Sequence, residues 1–140
     1  MPVTKAKLLA MIAAARDARE RAYAPYSGFK VGAAVTGGSG RAYTGCNVEN
    51  ASLGLSMCAE RVAIHKAISE GESYIQAVVV VAGDTRPARP CGACLQTMQE
   101  FSRPENPVMV VAATPDGSYD VFALNGYLPK PFALERDSGC

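Results

Sequence analysis

The sequence predicts an α/β fold in which one mixed five-stranded sheet is flanked by helices. Three observations carry that prediction. Segments with helical spacing alternate with short β-branched or alternating segments in the order α-β-β-α-β-α-β-β. The run Val78-Val79-Val80-Val81 is continuously β-branched, which suits a central strand covered on both faces. Only Pro115-Asp116-Gly117-Ser118 separates the last two strand segments, too short for a parallel crossover and sufficient for a hairpin. The length, 140 residues and 14.7 kDa, predicts a single domain over residues 1–140.

Residues 4–21 read as an amphipathic helix. Thr4 is the expected N-cap, and Leu8, Leu9, Met11, Ile12 and Ala15 recur at helical spacing among Lys5, Lys7, Arg16, Asp17, Arg19 and Glu20. Ala24-Pro25-Tyr26-Ser27-Gly28 breaks that pattern and reads as a loop. Residues 30–36 and 41–47 read as strands joined by the turn Gly37-Gly38-Ser39-Gly40, a β-hairpin. Residues 53–69 return to helical spacing and stop at Glu70-Gly71, with Gly71 as the terminating glycine. Residues 74–82 hold the valine run, and residues 83–90, with Pro87 and Pro90, form a loop. Residues 91–101 read as a helix, 107–114 and 119–124 as an antiparallel pair, and the segment from Gly126 on, with Pro129 and Pro131, as an irregular tail. The two later helices are expected on opposite or adjacent faces of the sheet. There are no repeats and no low-complexity segment.

Composition narrows the function. Apolar residues make up 49% and charged residues 19%, a core-forming balance. Lys+Arg total 14 against 13 Asp+Glu, a net charge of +1, which argues against a general nucleic-acid binder. No apolar run reaches the roughly 18 residues of a membrane span, and the start lacks the pattern of a signal peptide. A soluble cytoplasmic protein is the expectation.

The five cysteines are Cys46, Cys58, Cys91, Cys94 and Cys140, an odd number that disulfides within one chain cannot exhaust. In a reducing compartment clustered cysteines suit metal binding or catalysis better than bridging. Pro90-Cys91-Gly92-Ala93-Cys94 places two thiols one helical turn apart, on one face. By itself this spacing fits a redox pair, half of a structural zinc site or half of a catalytic one.

Cys58-Ala59-Glu60 shifts that balance. Cys58 supplies a third thiolate, and a zinc ion with three protein ligands keeps a fourth position open for water. Glu60, two residues on, does not share the helix face of Cys58, so it suits a proton shuttle better than a ligand. Three thiolates on Zn2+ leave a net charge of −1, which helix N-termini and the neighbouring Arg61 would offset. A structural site with Cys46 as fourth ligand is the alternative, and it leaves Glu60 unexplained. His65 lies seven residues beyond Cys58, about 10 Å along a helix, so it is expected on the helix surface and not at the metal. Cys140 reads as a free, exposed terminal thiol.

These segments together resemble the small, homotetrameric, three-cysteine zinc type of cytidine deaminase. Cys58-Ala59-Glu60 with Pro90-Cys91-Gly92-Ala93-Cys94 is similar to the family's zinc signature, with Cys in place of its first His. The stretch from Tyr26 through Gly28, Phe29 and Val31 to Ala34 resembles its first loop and strand. Gly45-Cys46-Asn47-Val48-Glu49-Asn50-Ala51-Ser52 resembles its nucleoside-binding strand end, and Tyr127-Leu128-Pro129 with Phe132 its C-terminal segment.

The resemblance implies a three-layer cytidine-deaminase-like fold with one zinc ion per subunit. It implies that Cys58, Cys91 and Cys94 bind the metal while Glu60 moves protons from the activated water to N3 and the departing amine. Asn47 and Glu49 would hydrogen-bond the ribose 3′-hydroxyl, which an amide and a carboxylate can together serve as donor and acceptor. Phe29 would pack on the pyrimidine, Ala59 would touch the substrate, and Phe132 would reach the site of a neighbouring subunit. The implied reaction is hydrolytic deamination of cytidine and deoxycytidine in pyrimidine salvage. The implied partners are a pyrimidine nucleoside and further copies of the chain, without nucleic acid or membrane.

Three positions depart from the family pattern. Leu95 stands where an Arg commonly follows the second cysteine, leaving Arg61 to balance thiolate charge and Gln96 as a further candidate to support the ligands. Arg89 precedes Pro90 where Ser is frequent, and Leu53 stands where a Tyr is common near the subunit contact. The tail from Ala133 also lacks the usual ending. Two rival readings remain: a deaminase of RNA, DNA or a nucleoside antibiotic, and a zinc-stabilised interaction domain without catalysis. The near-neutral charge and Asn47-Val48-Glu49 weigh against the first, and Glu60 against the second.

Overall fold

The computed structural model describes residues 3–136; Cys140, expected as a free thiol, lies outside them. Helix α1 (Lys5–Arg19) is followed by strands β1 (Gly32–Gly37) and β2 (Ala42–Cys46), a 3-10 turn (Leu53–Leu55), helix α2 (Ala59–Ser69) and strand β3 (Ile75–Val81). Helix α3 (Gly92–Glu100), strands β4 (Met109–Ala113) and β5 (Tyr119–Ala123) and the short helix α4 (Leu124–Tyr127) complete the order. No helix among the described residues is long and apolar enough to cross a membrane.

The strands form one sheet in the order β2-β1-β3-β4-β5. β1 pairs antiparallel with β2 and with β3, β3 pairs parallel with β4, and β4 pairs antiparallel with β5. The sheet is mixed for a simple reason. The two short turns can only make hairpins, whereas α3 supplies the crossover that a parallel β3–β4 pair needs. The valine run lies at the centre, with Val78, Val79 and Val81 fully buried.

Side-chain alternation along each strand divides the core in two. Ala34, Val79, Val81, Met109 and Val111 pack against Leu8, Met11, Ile12 and Ala15 of α1. Ala33, Val35, Val78, Val108 and Val110 pack against Ala63, Ile64 and Ala67 of α2 and Cys94, Leu95 and Met98 of α3. This corrects the expectation that the two later helices take opposite or adjacent faces: α2 and α3 share one face, where their apolar residues meet in a single core, and α1 covers the other, giving three layers.

Two glycines let the helices sit this close. A Cβ on Gly32 would lie 1.9 Å from the Ala15 carbonyl oxygen of α1, and one on Gly45 would lie 2.7 Å from Ala63 N and 2.8 Å from Ala59 O of α2.

The expected caps are present at α1 and α2. Thr4 Oγ1 accepts from Lys7 N at 3.1 Å, and Gly71 takes φ +111° just beyond α2. Beyond shifts of one or two residues at element ends, two departures from expectation stand out. The helix expected from residue 53 begins at Ala59, because Val48 and Met57 exchange backbone hydrogen bonds of 3.0 and 2.8 Å. That tertiary pairing holds the intervening residues in a loop and leaves Cys58 extended. The tail expected to be irregular opens with one helical turn, in which Leu124, expected to end a strand, anchors α4 in the core.

Candidate active site

The site forms where the N-termini of α2 and α3 meet at one end of the sheet. Cys58 is the N-cap residue of α2 and Cys91 that of α3, each with extended backbone. Cys94 follows within the first turn of α3 and is buried. The Cys58 and Cys91 sulfurs are 3.8 Å apart, those of Cys91 and Cys94 3.6 Å, and all three lie within 4.8 Å of one another. Sulfurs at the corners of a tetrahedron with Zn–S of 2.3 Å would be separated by about 3.8 Å. The spacing and the donor chemistry therefore fit a single zinc ion held by three thiolates. Cys46 ends β2, half-buried, outside the only such cluster among the described residues, so the four-cysteine alternative has no support in the geometry. His65 is exposed, as expected.

The electrostatics favours a sulfur anion at Cys58. The Cys58 thiol is pulled down to about 5, first by a hydrogen bond from Cys94, against the cost of burial and with help from Arg61 and Cys91. Cys94 is pushed up in turn, because it holds its proton toward Cys58 and is buried near Glu60. A cluster in which one thiolate depends on its neighbours' protons is one a dication would complete, since the metal replaces those protons. The Arg61 Nη2 donates to Cys58 Sγ at 3.7 Å and to the Ser56 carbonyl at 3.2 Å, bringing a fixed positive charge to the cluster.

Glu60 occupies the first turn of α2 with only 4% of its surface exposed. Burial, reinforced by the Cys58 charge, raises its carboxyl above the usual range, although its own backbone N–H and Arg61 oppose this. A carboxyl so placed takes up a proton more readily than an exposed carboxylate does and can pass it to a reacting group.

Glu60, Cys58, Cys91 and Ala59 line one wall of a cavity of about 300 Å3. Phe29, Asn47, Glu49 and Arg89 line the rest, with Ser56, Met57, Val80 and Ala82 filling in between. The volume is that of a small-molecule site. The Asn47 Oδ1 accepts from Val31 N and its Nδ2 donates to the Phe29 carbonyl, both at 2.8 Å. The amide thus holds the segment that carries Phe29 and keeps one N–H and one lone pair for a ligand. Glu49 accepts from the backbone N–H groups of Tyr26 and Ser27 at 3.0 and 3.2 Å and from the Ser27 hydroxyl. These bonds, the hydroxyl's first, hold its carboxyl below the usual range, so it stays an acceptor.

Other candidates fall elsewhere. Phe132 is 68% exposed and does not line the cavity of its own chain. Gln96, expected to support the metal ligands, donates from Nε2 to the Phe132 carbonyl at 2.9 Å, so its amide secures the tail. Leu95 is buried in the core, Arg89 is exposed at the cavity, and Leu53 is exposed on the 3-10 turn. Ser27 also belongs to the site, in the loop ahead of β1, and nothing in its spacing announces a bond to a carboxylate 22 positions away.

Comparison with known proteins places the geometry in context. Residues 5–111 match the family model described as the cytidine and deoxycytidylate deaminase zinc-binding region. A cytidine deaminase of Sporosarcina psychrophila is 47% identical over 125 residues, covering 89% of this chain and 90% of that protein. One from Halalkalibacterium halodurans is 43% identical over 125 residues, covering 89% and 93%. The crystal structure of a Burkholderia pseudomallei cytidine deaminase superposes with a TM-score of 0.83 at 44% identity, covering 93% of this chain and 100% of that one.

Proposed function

This chain belongs to the cytidine and deoxycytidylate deaminase family, and on that premise we propose that it hydrolyses free cytidine and deoxycytidine to uridine and deoxyuridine with release of ammonia. The observation that carries this reading is the convergence of three thiols beside the buried Glu60, in a cavity that also presents Asn47 and Glu49. The first group suits the chemistry at a ring carbon, and the second suits a sugar hydroxyl.

Zinc held by Cys58, Cys91 and Cys94 would supply Lewis acidity that makes water a nucleophile near neutral pH. The rest of the work falls to side chains. Glu60 accepts the proton that water gives up as its oxygen bonds to C4 of the pyrimidine. It delivers that proton to N3 as the ring loses its aromatic character. It then takes the proton of the new C4 hydroxyl and gives it to the exocyclic amine as the C4–N4 bond breaks, so ammonia leaves and a carbonyl remains. Its raised proton affinity suits a group that must be loaded in mid-reaction. Phe29 packs against the pyrimidine, Ala59 closes on its edge, and the free groups of Asn47 and Glu49 take the 3′-hydroxyl. That hydroxyl is common to ribose and deoxyribose, which is why both nucleosides are expected substrates.

Three finer points belong to the same reading. The reaction returns pyrimidine nucleosides to use, a salvage role. A homotetramer would give the exposed Phe132 a neighbouring site to enter. A cytoplasmic setting would keep the thiol ligands reduced.

The test is a deamination assay on cytidine, deoxycytidine, cytosine and blasticidin S, with metal content measured alongside. Zinc-dependent turnover of the two nucleosides is expected. A folded, zinc-loaded protein inert on both would overturn the proposal.

A further inference from the structure

The geometry points to Ser27 as a positioning residue that holds the Glu49 carboxylate ready for the 3′-hydroxyl of the nucleoside, an inference that rests on the nucleoside reading above.

The Ser27 hydroxyl sits between two fixed groups. It accepts from the Phe29 backbone N–H at 3.0 Å and donates to Glu49 Oε2. A hydroxyl has one proton and two lone pairs. Because the Phe29 N–H occupies a lone pair, the single proton is free to face the carboxylate. Oε1 of Glu49 is meanwhile taken by the backbone N–H groups of Tyr26 and Ser27.

A carboxylate offers about four acceptor positions. Three donors from residues 26 and 27 engage three of them, leaving about one for a ligand. Glu49 lines the cavity, so that remaining position is the one a sugar hydroxyl can use. The donors therefore do more than satisfy a charge. They remove the rotation by which an exposed carboxylate would otherwise sample many orientations, and binding need not supply that ordering.

The loop is built to present these donors. The Gly28 N–H bonds the Ala24 carbonyl at 2.9 Å, and Gly28 takes φ +69°, closing a tight turn over residues 24–28. Asn47 then ties the segment after the turn through Phe29 and Val31. The two side chains expected at the sugar thus also fasten the loop bearing the ring expected on the base. Among the described residues, Ser27 is the one side chain hydrogen-bonded both to Glu49 and to the backbone of Phe29.

The alternative is that Ser27 merely stiffens this turn. Kinetics with paired substrates separates the two. For Ser27→Ala, KM for cytidine should rise about tenfold with kcat within about twofold, while KM for 3′-deoxycytidine moves less than about threefold. Ser27→Thr, which keeps the hydroxyl, should restore the cytidine value. Ser27→Cys, which keeps the side chain's shape but is only a weak donor, should reproduce the Ala pattern; a wild-type KM for cytidine in this variant would show that Ser27 acts by filling space in the loop and would overturn the inference. An equal rise in both KM values, or an unchanged KM for cytidine, would overturn the inference. An inert wild-type enzyme would reject the nucleoside reading itself and the inference with it.

Discussion

Arg61 and Cys58, three residues apart on the first turn of α2, are joined by an Nη2–Sγ hydrogen bond of 3.7 Å. The same guanidinium nitrogen holds the Ser56 carbonyl, so the cation is tethered on both sides of the cysteine. Among the described residues it is the cation that contacts the thiol cluster, and Leu95, beside Cys94, is buried in the core.

Replacing Arg61 with Ala should therefore weaken metal retention about 10–100-fold, the usual cost of losing a group that supports a ligand. Competition with a chelator of known affinity measures this directly. Zinc affinity equal to that of the wild type would show that Arg61 carries no part of the site's charge balance.

Glu60→Gln separates binding from proton transfer. The amide fills the same buried space but cannot relay a proton, so turnover should fall at least about 10²–10⁴-fold. Zinc content should remain at one per chain, since the three thiols are untouched. Near-normal activity in this variant would remove Glu60 from its proposed role.

Gly45→Ala tests the contact that sets α2 on the sheet. The added methyl would stand 2.7 Å from Ala63 N and 2.8 Å from Ala59 O, both backbone atoms that cannot swing aside. A loss of about 1–3 kcal/mol is expected from this crowding. Because the helix it displaces begins beside Cys58, zinc affinity should fall with stability. Denaturant unfolding and metal titration check the pair, and a variant with wild-type stability would contradict the close-approach argument.

Glu72 offers a pH test remote from the metal. Its carboxylate accepts from Ser39 N at 3.1 Å, from the Ser39 hydroxyl and from Tyr43 OH at 2.8 Å, fastening the β1–β2 turn to the chain after α2. The Ser39 hydroxyl bond, first among these causes, holds its proton affinity below the ordinary carboxylate range. The folded state thus binds this proton less readily than the unfolded chain. The group's contribution is complete above the unfolded value of about 4.3 and disappears as pH falls through the folded value. Glu72→Gln should be less stable than wild type at pH 7, with the gap closing below about pH 4. A gap that stays constant down to pH 3 would refute the linkage.

How much was legible in the chain varies by residue. Cys58, Cys91, Cys94 and Glu60 could be read because metal ligation and proton transfer each demand particular residue types at short spacings. The five strands could be read because β-branched runs and glycine turns are local signals. The start of α2 could not, because Val48 and Met57 pair across nine positions and override a helical pattern that continues back to Leu53. The partner of Gln96 could not be read for a similar reason. The position of Gln96 beside Cys94 suggested the metal, and only the fold brings the Phe132 carbonyl to its amide.

Sequence by itself determined the α/β class, the three thiols with their carboxylate, and the near-neutral charge that suits a free nucleoside. These follow from residue identity and local periodicity. Tertiary structure decided that α2 and α3 share one face, which brings Cys58 within 3.8 Å of Cys91 although 33 positions separate them. It also decided that Glu49 is held by Ser27 and that Asn47 fastens the Phe29 segment. Each is a contact between distant parts of the chain. Such contacts depend on the close packing of helices on a particular sheet order, and no local pattern encodes them.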